Sequence, residues 1–321
     1  MAAPRVLVVA GTHGNEINGP WLLEQWETHP DLLDRRGLQV ETVLGNPEAC
    51  RLARRYVDRD LNRSFRPEWL GLVPESFSSS SAPQDVPLEV LRARELMAAY
   101  GSSGSLPCSL VFDLHSTTAA MGASLVVYGR RPADLTLAAA LQERLGLPVY
   151  LHEGDQAQQG FLVERWPCGL VVEIGPVPQG VRSARVVEQT RLVLQAAFDV
   201  THEAAHGLLI TPSDLVVHRH LGSIDVPRDP AGRPDACIHP QLQGRDWHPL
   251  RLGDPLFLRA DGEVIRHGGP EGLVPVFINE AAYAEKAIAF SFTSRERWPL
   301  DPSGPGALRA LLMSDQRGEP L

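Results

Sequence analysis

Short, almost wholly apolar runs that stop at a glycine or a polar residue recur along the first half of this chain. They constrain its fold more than any other feature. Val6–Ala10 is five apolar residues closed by Gly11, and Leu110–Leu114 and Leu170–Ile174 have the same texture. A half-solvated strand alternates polar and apolar residues; these runs do not. They fit strands buried on both faces, as in a parallel sheet whose crossover helices cover both sides. Further β-type runs lie at 38–44 and 123–128. Helical spacing occupies 18–27, 87–100, 135–145 and 183–206. Residues 71–86, with serines at 78–81, and residues 101–107 read as loops. After Gly207 the helical signal stops. Strand-like runs at 208–210, 214–218, 256–259 and 273–278 alternate with Gly, Pro and Asp turns. The pattern predicts an α/β domain over 1–207, a smaller β-rich domain over 208–298, and a loosely ordered tail over 299–321.

Composition removes several classes. With 39 acidic against 30 basic residues, the formal net charge of −9 disfavours a nucleic-acid binder, which needs a basic face to displace counterions. A chain of 321 residues, 43% hydrophobic and 21% charged, can bury a large core and is not disordered. The N-terminal MAAPRVLVVAG holds one Arg and a five-residue apolar run, short of the roughly 7–15 of a signal peptide. No run approaches the ~20 apolar residues of a membrane span, so the reading is a soluble cytoplasmic protein. Cys50, Cys108, Cys168 and Cys237 are far apart and form no CxxC pair, which predicts buried reduced thiols.

Two histidine motifs compete for attention. His202-Glu-Ala-Ala-His206 matches H-E-x-x-H, which on a helix sets two imidazoles one turn apart beside a Glu base. No third ligand follows: the metzincin extension is absent and no Glu occurs between Glu203 and Glu263. The motif also closes a helix before Gly207, where His is favoured by the helix dipole alone. His218-Arg219-His220 shares one strand face but likewise lacks a third partner.

The stronger candidate lies at strand exits, where open α/β sheets place their ligands. Gly11-Thr12-His13-Gly14-Asn15-Glu16 follows the first buried run and puts an imidazole three residues from a carboxylate, with glycines permitting a tight turn. His115 ends the Leu110 run. If those two strands are neighbours, His13, Glu16 and His115 converge as two His and one carboxylate, a catalytic zinc set with an open fourth position. Glu173 ends a third run, where a carboxyl is costly to desolvate without a partner or a task. Beside a metal it would act as a general base. Arg54, Arg55, Asp58, Arg59, Asp60, Asn62, Arg63 and Arg66 crowd the segment after Asn46-Pro47. Guanidinium groups gathered at a sheet edge suit a substrate carboxylate.

These segments together resemble the aspartoacylase family, within the zinc carboxypeptidase and succinylglutamate desuccinylase superfamily. The matching stretches are GTHGNEINGP (11–20), NPEACRLARRYVDRDLNRSF (46–65), FDLHSTTAAMG (112–122), VEIGPVPQGV (172–181) and VFINEAAYAEKAIAF (276–290). The resemblance spans about residues 5–293 and implies a zinc-carboxypeptidase-like mixed sheet flanked by helices, followed by a β-rich domain that shapes the entrance. It implies one Zn2+ per chain, held by His13, Glu16 and His115, with Glu173 as general base and Arg55 polarising the scissile carbonyl. Asn62 and Arg63 would grip the α-carboxylate of an N-acyl amino acid, and Tyr283 would complete that grip. Asp60 would orient its neighbours, Glu280 would support the residues around the site, and Thr117 and Thr118 would line the pocket.

The implied activity is a zinc amidohydrolase acting on N-acetylaspartate or a similar N-acyl amino acid. The implied partners are that small molecule and, compatibly, a second copy in a homo-oligomer; neither nucleic acid nor membrane is expected. One departure bears on specificity. The resemblance leads one to expect Tyr-x-x-x-Arg near the substrate side chain, where this chain has Gln158-Gln-Gly-Phe-Leu-Val-Glu-Arg165. Arg165 could serve after a small shift. Phe161 and Leu162 point instead to a deacylase for apolar or aromatic side chains, and a succinylglutamate-desuccinylase-like activity is a further alternative. A carboxylate-binding protein without catalysis is disfavoured by the intact His13, Glu16, His115 and Glu173 set.

Overall fold

A computed structural model describes residues 3–71, 86–154 and 158–314. Most of the predicted 71–86 loop and the last seven residues of the tail therefore lie outside the described residues. The strands, in chain order, are β1 (Arg5–Ala10), β2 (Gln39–Leu44), β3 (Leu110–Ser116), β4 (Ala123–Tyr128), β5 (Val149–His152), β6 (Cys168–Ile174), β7 (Asp214–Asp225), β8 (Ala236–Ile238), β9 (Pro255–Arg259), β10 (Val264–Arg266), β11 (Val274–Val276) and β12 (Ile288–Pro299). The helices are α1 (Asn18–Thr28), α2 (Pro47–Arg51), α3 (Leu88–Tyr100), α4 (Pro132–Leu145), α5 (Ala184–Ala205) and α6 (Gly304–Met313). Nine strands form one mixed sheet in the order β11-β12-β7-β5-β4-β6-β3-β1-β2, and β10-β9-β8 form a small antiparallel sheet.

The apolar runs form strands because each feeds two cores. In β1, Val6, Val8 and Ala10 pack into one cluster and Leu7 and Val9 into another across the sheet. The first cluster sits under α1, α4, α5 and α6, which contribute Trp26, Leu137, Phe198 and Leu308 among others. The second sits under α3, through Ala93 and Leu96. Alternation along β3 and β6 turns Phe112, Leu114, Leu170 and Val172 toward the four-helix side. It leaves Asp113, His115 and Glu173 facing the other way. β1 pairs in parallel with β3, and β3 with β6, so the three strand exits lie side by side.

The C-terminal part departs from the expected pattern in three places. First, the apolar triplet at 208–210 forms no strand; Leu208 is 65% and Ile210 90% exposed. Gly207, with φ +69°, follows the end of α5, and the chain joins the sheet only at Asp214. Second, β7 and β12 do not belong to a separate sheet. They pair with each other along nearly their whole length, and β7 also pairs in parallel with β5. The main sheet therefore runs on into the β-rich region, whose own core includes Leu250, Phe257 and Phe290. Third, the tail is not loose: α6 buries Leu308 and Leu312 against the main core. Among the cysteines, Cys108 and Cys168 are buried as expected, whereas Cys50 is half-buried and Cys237 is exposed. All four are free thiols.

Two measurements check this arrangement. Cutting Leu308 to Ala should cost about 2–5 kcal/mol of unfolding free energy, as for other buried leucines; a loss near zero in urea titration would mean α6 does not hold the core. His218 packs its ring on Trp247 at 4.8 Å, and burial, with Arg295 nearby, lowers its pKa to about 4. Since free His titrates near ~6.5, the unfolded chain takes up a proton that the folded chain refuses. Stability should be full above about pH 6.5 and fall by ~3 kcal/mol as the pH drops toward 4. His218→Phe should flatten that acid limb.

Candidate active site and metal centre

His13 and Glu16 sit in the turn between β1 and α1. Two glycines make that turn. Gly11 has φ +68°, which L side chains rarely adopt. Gly14 passes so close to α2 that a Cβ there would stand 2.0 Å from the Ala49 carbonyl carbon. The close approach folds the turn back, and the Glu16 N–H donates to the His13 carbonyl at 3.1 Å. His115 arrives from the end of β3. His13 Nδ1 lies 2.7 Å from Glu16 Oε1 and His115 Nδ1 3.0 Å from Glu16 Oε2. One ligand atom from each of the three residues falls within 4.8 Å of the others, and all three residues are buried. Among the described residues this is the one group of three or more such side chains that could hold a metal ion.

The far nitrogen of each imidazole is pinned. His13 Nε2 lies 3.0 Å from Asp60 Oδ1, and His115 Nε2 lies 2.8 Å from Asp113 Oδ2. A carboxylate accepts, so each Nε2 donates its proton there, and each Nδ1, which faces Glu16, would present a lone pair to a cation that displaced any proton on it. Two lone pairs and the Glu16 carboxylate then converge, an arrangement that a cation completes and that suits two-His, one-carboxylate zinc ligation. Without a cation the same carboxylates favour a protonated His115 beside an ionised Glu16, so metal binding would release a proton. Burial pushes the Glu16 carboxyl up, but His13 and His115 outweigh it and hold it well below the usual range. Burial likewise opposes charge on His115, yet Asp113 and Glu16 raise its pKa well above that of free imidazole.

Asp113 was not singled out in the sequence, although its signal is there. In Asp113-Leu-His115 the two polar residues are two apart, so on a strand they share a face. Asp113 is fully buried and its second oxygen accepts from the Thr12 hydroxyl at 2.7 Å. Asp60 accepts from the backbone N–H of Asn62 at 2.8 Å while it holds His13. Burial works against its charge, but His13 and Arg55 keep its carboxyl well below the usual range. Arg55 donates to Glu16 at 3.3 Å and to Asp60 at 3.1 Å, and stays protonated against its burial through the same two carboxylates.

Glu173 stands opposite His115 in the β3–β6 register. Burial pushes its carboxyl well above the usual range, and Glu16 and Glu280 push the same way against His115 and Arg55. It faces the same cleft as His13, Arg55, Asn62, Arg63 and Tyr283. The Asn62 side-chain oxygen accepts from the Leu162 N–H at 2.8 Å. Arg63 donates to Gln158 at 3.1 Å, and its guanidinium lies 4.1 Å over the Phe161 ring. Burial raises the Tyr283 phenol to about 12, which keeps it a neutral donor. Glu280 joins the two regions of the chain: its Oε2 accepts from the N–H of Thr118 at 2.8 Å and of Ala119 at 3.1 Å and from the Thr117 and Thr118 hydroxyls. Its Oε1 accepts from the Ala282 N–H at 3.0 Å, next to Tyr283. His13, Glu16, His115, Arg55, Asn62, Arg63, Thr117, Glu173, Glu280 and Tyr283 line one cleft, while Asp60 and Thr118 stand behind it through His13 and Glu280.

Arg165 does not line that cleft. Phe161 does, stacked on Tyr128 with ring centroids 3.9 Å apart, and Tyr150, His152 and Phe277 extend the aromatic wall. His202 and His206 lie at the end of α5 with each Nδ1 2.8 Å from a backbone carbonyl, and His220 lies 2.8 Å from the Tyr150 hydroxyl.

Comparison with known proteins places this geometry in context. Residues 2–200 match the family described as succinylglutamate desuccinylase/aspartoacylase catalytic domain, and residues 213–295 match the AstE/AspA barrel-sandwich hybrid domain. A probable aspartoacylase of Prochlorococcus marinus (strain MIT 9313) is 58% identical over 97% of this chain and 99% of its own length. A second, from Synechococcus sp. (strain CC9605), is 56% identical with the same coverage. The crystal structure of murine aminoacylase 3 superposes with TM-score 0.81 at 36% identity, covering 94% of this chain and 98% of that one. The succinylglutamate desuccinylase of Chromobacterium violaceum shares the fold at TM-score 0.61 and 19% identity, over 92% of this chain and 86% of its own.

Asp113→Asn tests the pinning. Turned so that its oxygen still accepts from Thr12, the amide would offer N–H to His115 Nε2 and drive the ring proton onto Nδ1. Zinc affinity, measured against a competing chelator, should fall about 10–100-fold, the usual cost of losing such a partner. Unchanged affinity would mean that Asp113 does not set the tautomer.

Proposed function

The chain belongs to the succinylglutamate desuccinylase/aspartoacylase family, and from that membership we propose that it is a zinc-dependent deacylase that hydrolyses the amide bond of an N-acyl amino acid. The observation that carries this reading is the convergence of His13, Glu16 and His115, with each imidazole pinned from behind by a carboxylate and Glu173 on the neighbouring strand. Bound to these three residues, zinc would supply Lewis acidity toward a carbonyl oxygen and lower the pKa of a water in its open position toward ~7.

The remaining roles follow from the chain's own groups. Arg63 and Asn62 hold the substrate α-carboxylate, the guanidinium through paired N–H bonds, and the neutral Tyr283 hydroxyl adds a donor. Gln158 and Phe161 keep the Arg63 side chain in place. Glu173 takes a proton from the attacking water onto a carboxylate oxygen and returns it to the amide nitrogen as the C–N bond breaks. Arg55, protonated and aimed by Glu16 and Asp60, stabilises the negative charge that develops on the carbonyl oxygen. A donor in that role is worth about 3 kcal/mol. The products are a carboxylate and the free amino acid.

The name aspartoacylase, which the relatives carry, supports N-acetylaspartate as one candidate substrate. A second reading rests on the cleft wall: Tyr128 and Phe161 stand where the side chain of the amino acid would lie beside Arg63, and Arg165 stays outside. That wall favours an aromatic or apolar side chain.

Three experiments test these readings. Chelator should abolish hydrolysis and zinc should restore it, with His13→Ala losing the one zinc per chain and His202→Ala keeping it; the reverse pattern would move the metal to the α5 histidines. Glu173→Gln should lower kcat by about 10²–10⁴-fold while zinc content holds, the usual contribution of a general base. Full turnover in that variant refutes the proton route. Side-by-side kcat/KM for N-acetylaspartate and N-acetylphenylalanine decides between the two side-chain classes.

A further inference from the structure

Glu89 is a buried carboxyl that the chemistry above leaves unused. It stands in the first turn of α3 and has no exposed surface. Its Oε1 accepts from the Val57 backbone N–H at 2.7 Å and from the Asn46 side-chain amide at 3.0 Å. Its Oε2 accepts from the backbone N–H groups of Asp58 and Arg59, each at 3.2 Å. Three consecutive peptide N–H groups thus point at one side chain. The link is reciprocal, since Asp58 Oδ2 accepts from the Leu88 N–H at 2.8 Å at the start of α3.

Those peptides lie in residues 54–60, which belong to no helix or strand. A segment without its own ladder must satisfy its buried N–H groups elsewhere, and here they converge on Glu89. Just before this anchor comes Arg55, which donates to Glu16 and Asp60. Just after it comes Asp60, which pins His13. The Arg55 carbonyl also accepts from the Gly14 N–H at 3.3 Å, tying the segment to the turn that bears His13 and Glu16.

We infer that Glu89 is a positioning residue: it sets the backbone of residues 55–60 so that Arg55 faces the scissile carbonyl and Asp60 faces His13. The assignment rests on the deacylase reading of the cleft. A carboxylate is needed because both oxygens receive N–H donors. An amide in either orientation would turn an NH2 group against at least one peptide N–H.

The test uses full-length Glu89→Asp, which keeps both oxygens but draws them back by one methylene. It is paired with Leu96→Ala, a buried change on the same helix that faces the core. In the parent background Glu89→Asp should lower kcat/KM about 10–100-fold, the size expected when a catalytic group is misplaced by about 1 Å. In an Arg55→Ala background the added loss should be several-fold smaller than in the parent, because the part that acts through Arg55 is already gone and only the part through Asp60 remains. Leu96→Ala should lower Tm but leave kcat/KM of the folded enzyme in place. Equal loss in both backgrounds, equal loss from Leu96→Ala, or no loss at all would overturn the inference. If Glu89→Asp does not fold, Glu89→Gln takes its place in the same cycle with the same expectations. If the parent chain hydrolyses no N-acyl amino acid, the deacylase reading fails instead. Zinc affinity then decides the inference: weakening by Glu89→Asp supports it through Asp60 and His13, and unchanged affinity overturns it.

Discussion

The register of three parallel strands underlies everything at the site. β1 aligns Ala10 with Leu114 on β3, and β3 aligns His115 with Glu173 on β6. Because side chains alternate along a strand, a slip of one residue in either pairing would send His115 or Glu173 to the four-helix side of the sheet. The apolar residues between them prevent that slip, since Phe112, Leu114, Leu170 and Val172 fill one core and Val111 and Val171 the other. Packing in two cores thus positions polar groups that contribute nothing to either.

The second layer of control is the set of buried carboxylates. Asp60, Asp113 and Glu280 support the site, and each is hydrogen-bonded at both oxygens. A buried charge without partners is costly, so each carboxylate holds its neighbours in one geometry or loses stability. Together they tie segments distant in sequence: Thr12 to His115 through Asp113, His13 to Arg55 through Asp60, and the 117–119 turn to the Tyr283 segment through Glu280. The β-rich region completes the cleft through that last link and through β7 and β12, which run from the main sheet into it without a break.

Much of this was legible in the sequence because it is local. A five-residue apolar run ending in glycine reports burial on both faces wherever it occurs, and Gly-x-x-Gly in the turn after β1 reports a tight bend. The misreadings share one cause. Leu208–Ile210 has strand-like residues but no neighbour to pair with, and pairing is not a local property. β12 carries Thr293 to Arg297 in a mixed polar pattern and is a strand because β7 lies beside it. α6 follows a Pro- and Gly-rich stretch that reads as unstructured, and it is held by Leu308 and Leu312 in a core built from residues far upstream. Cys237 is exposed because β8 lies in the small outer sheet, which composition does not reveal.

By itself the sequence determined the building blocks: buried parallel strands, polar residues at their exits, and an arginine-rich segment after Asn46-Pro47. These follow from side-chain periodicity and backbone conformation, which act over a few residues. Only the tertiary structure decided which exits are adjacent, that Asp113 and Asp60 stand behind the two imidazoles, and that Phe161 and Tyr128 rather than Arg165 line the cleft. Those outcomes depend on strand order and on where hydrogen-bonding groups find partners after burial, and both are properties of the packed chain as a whole.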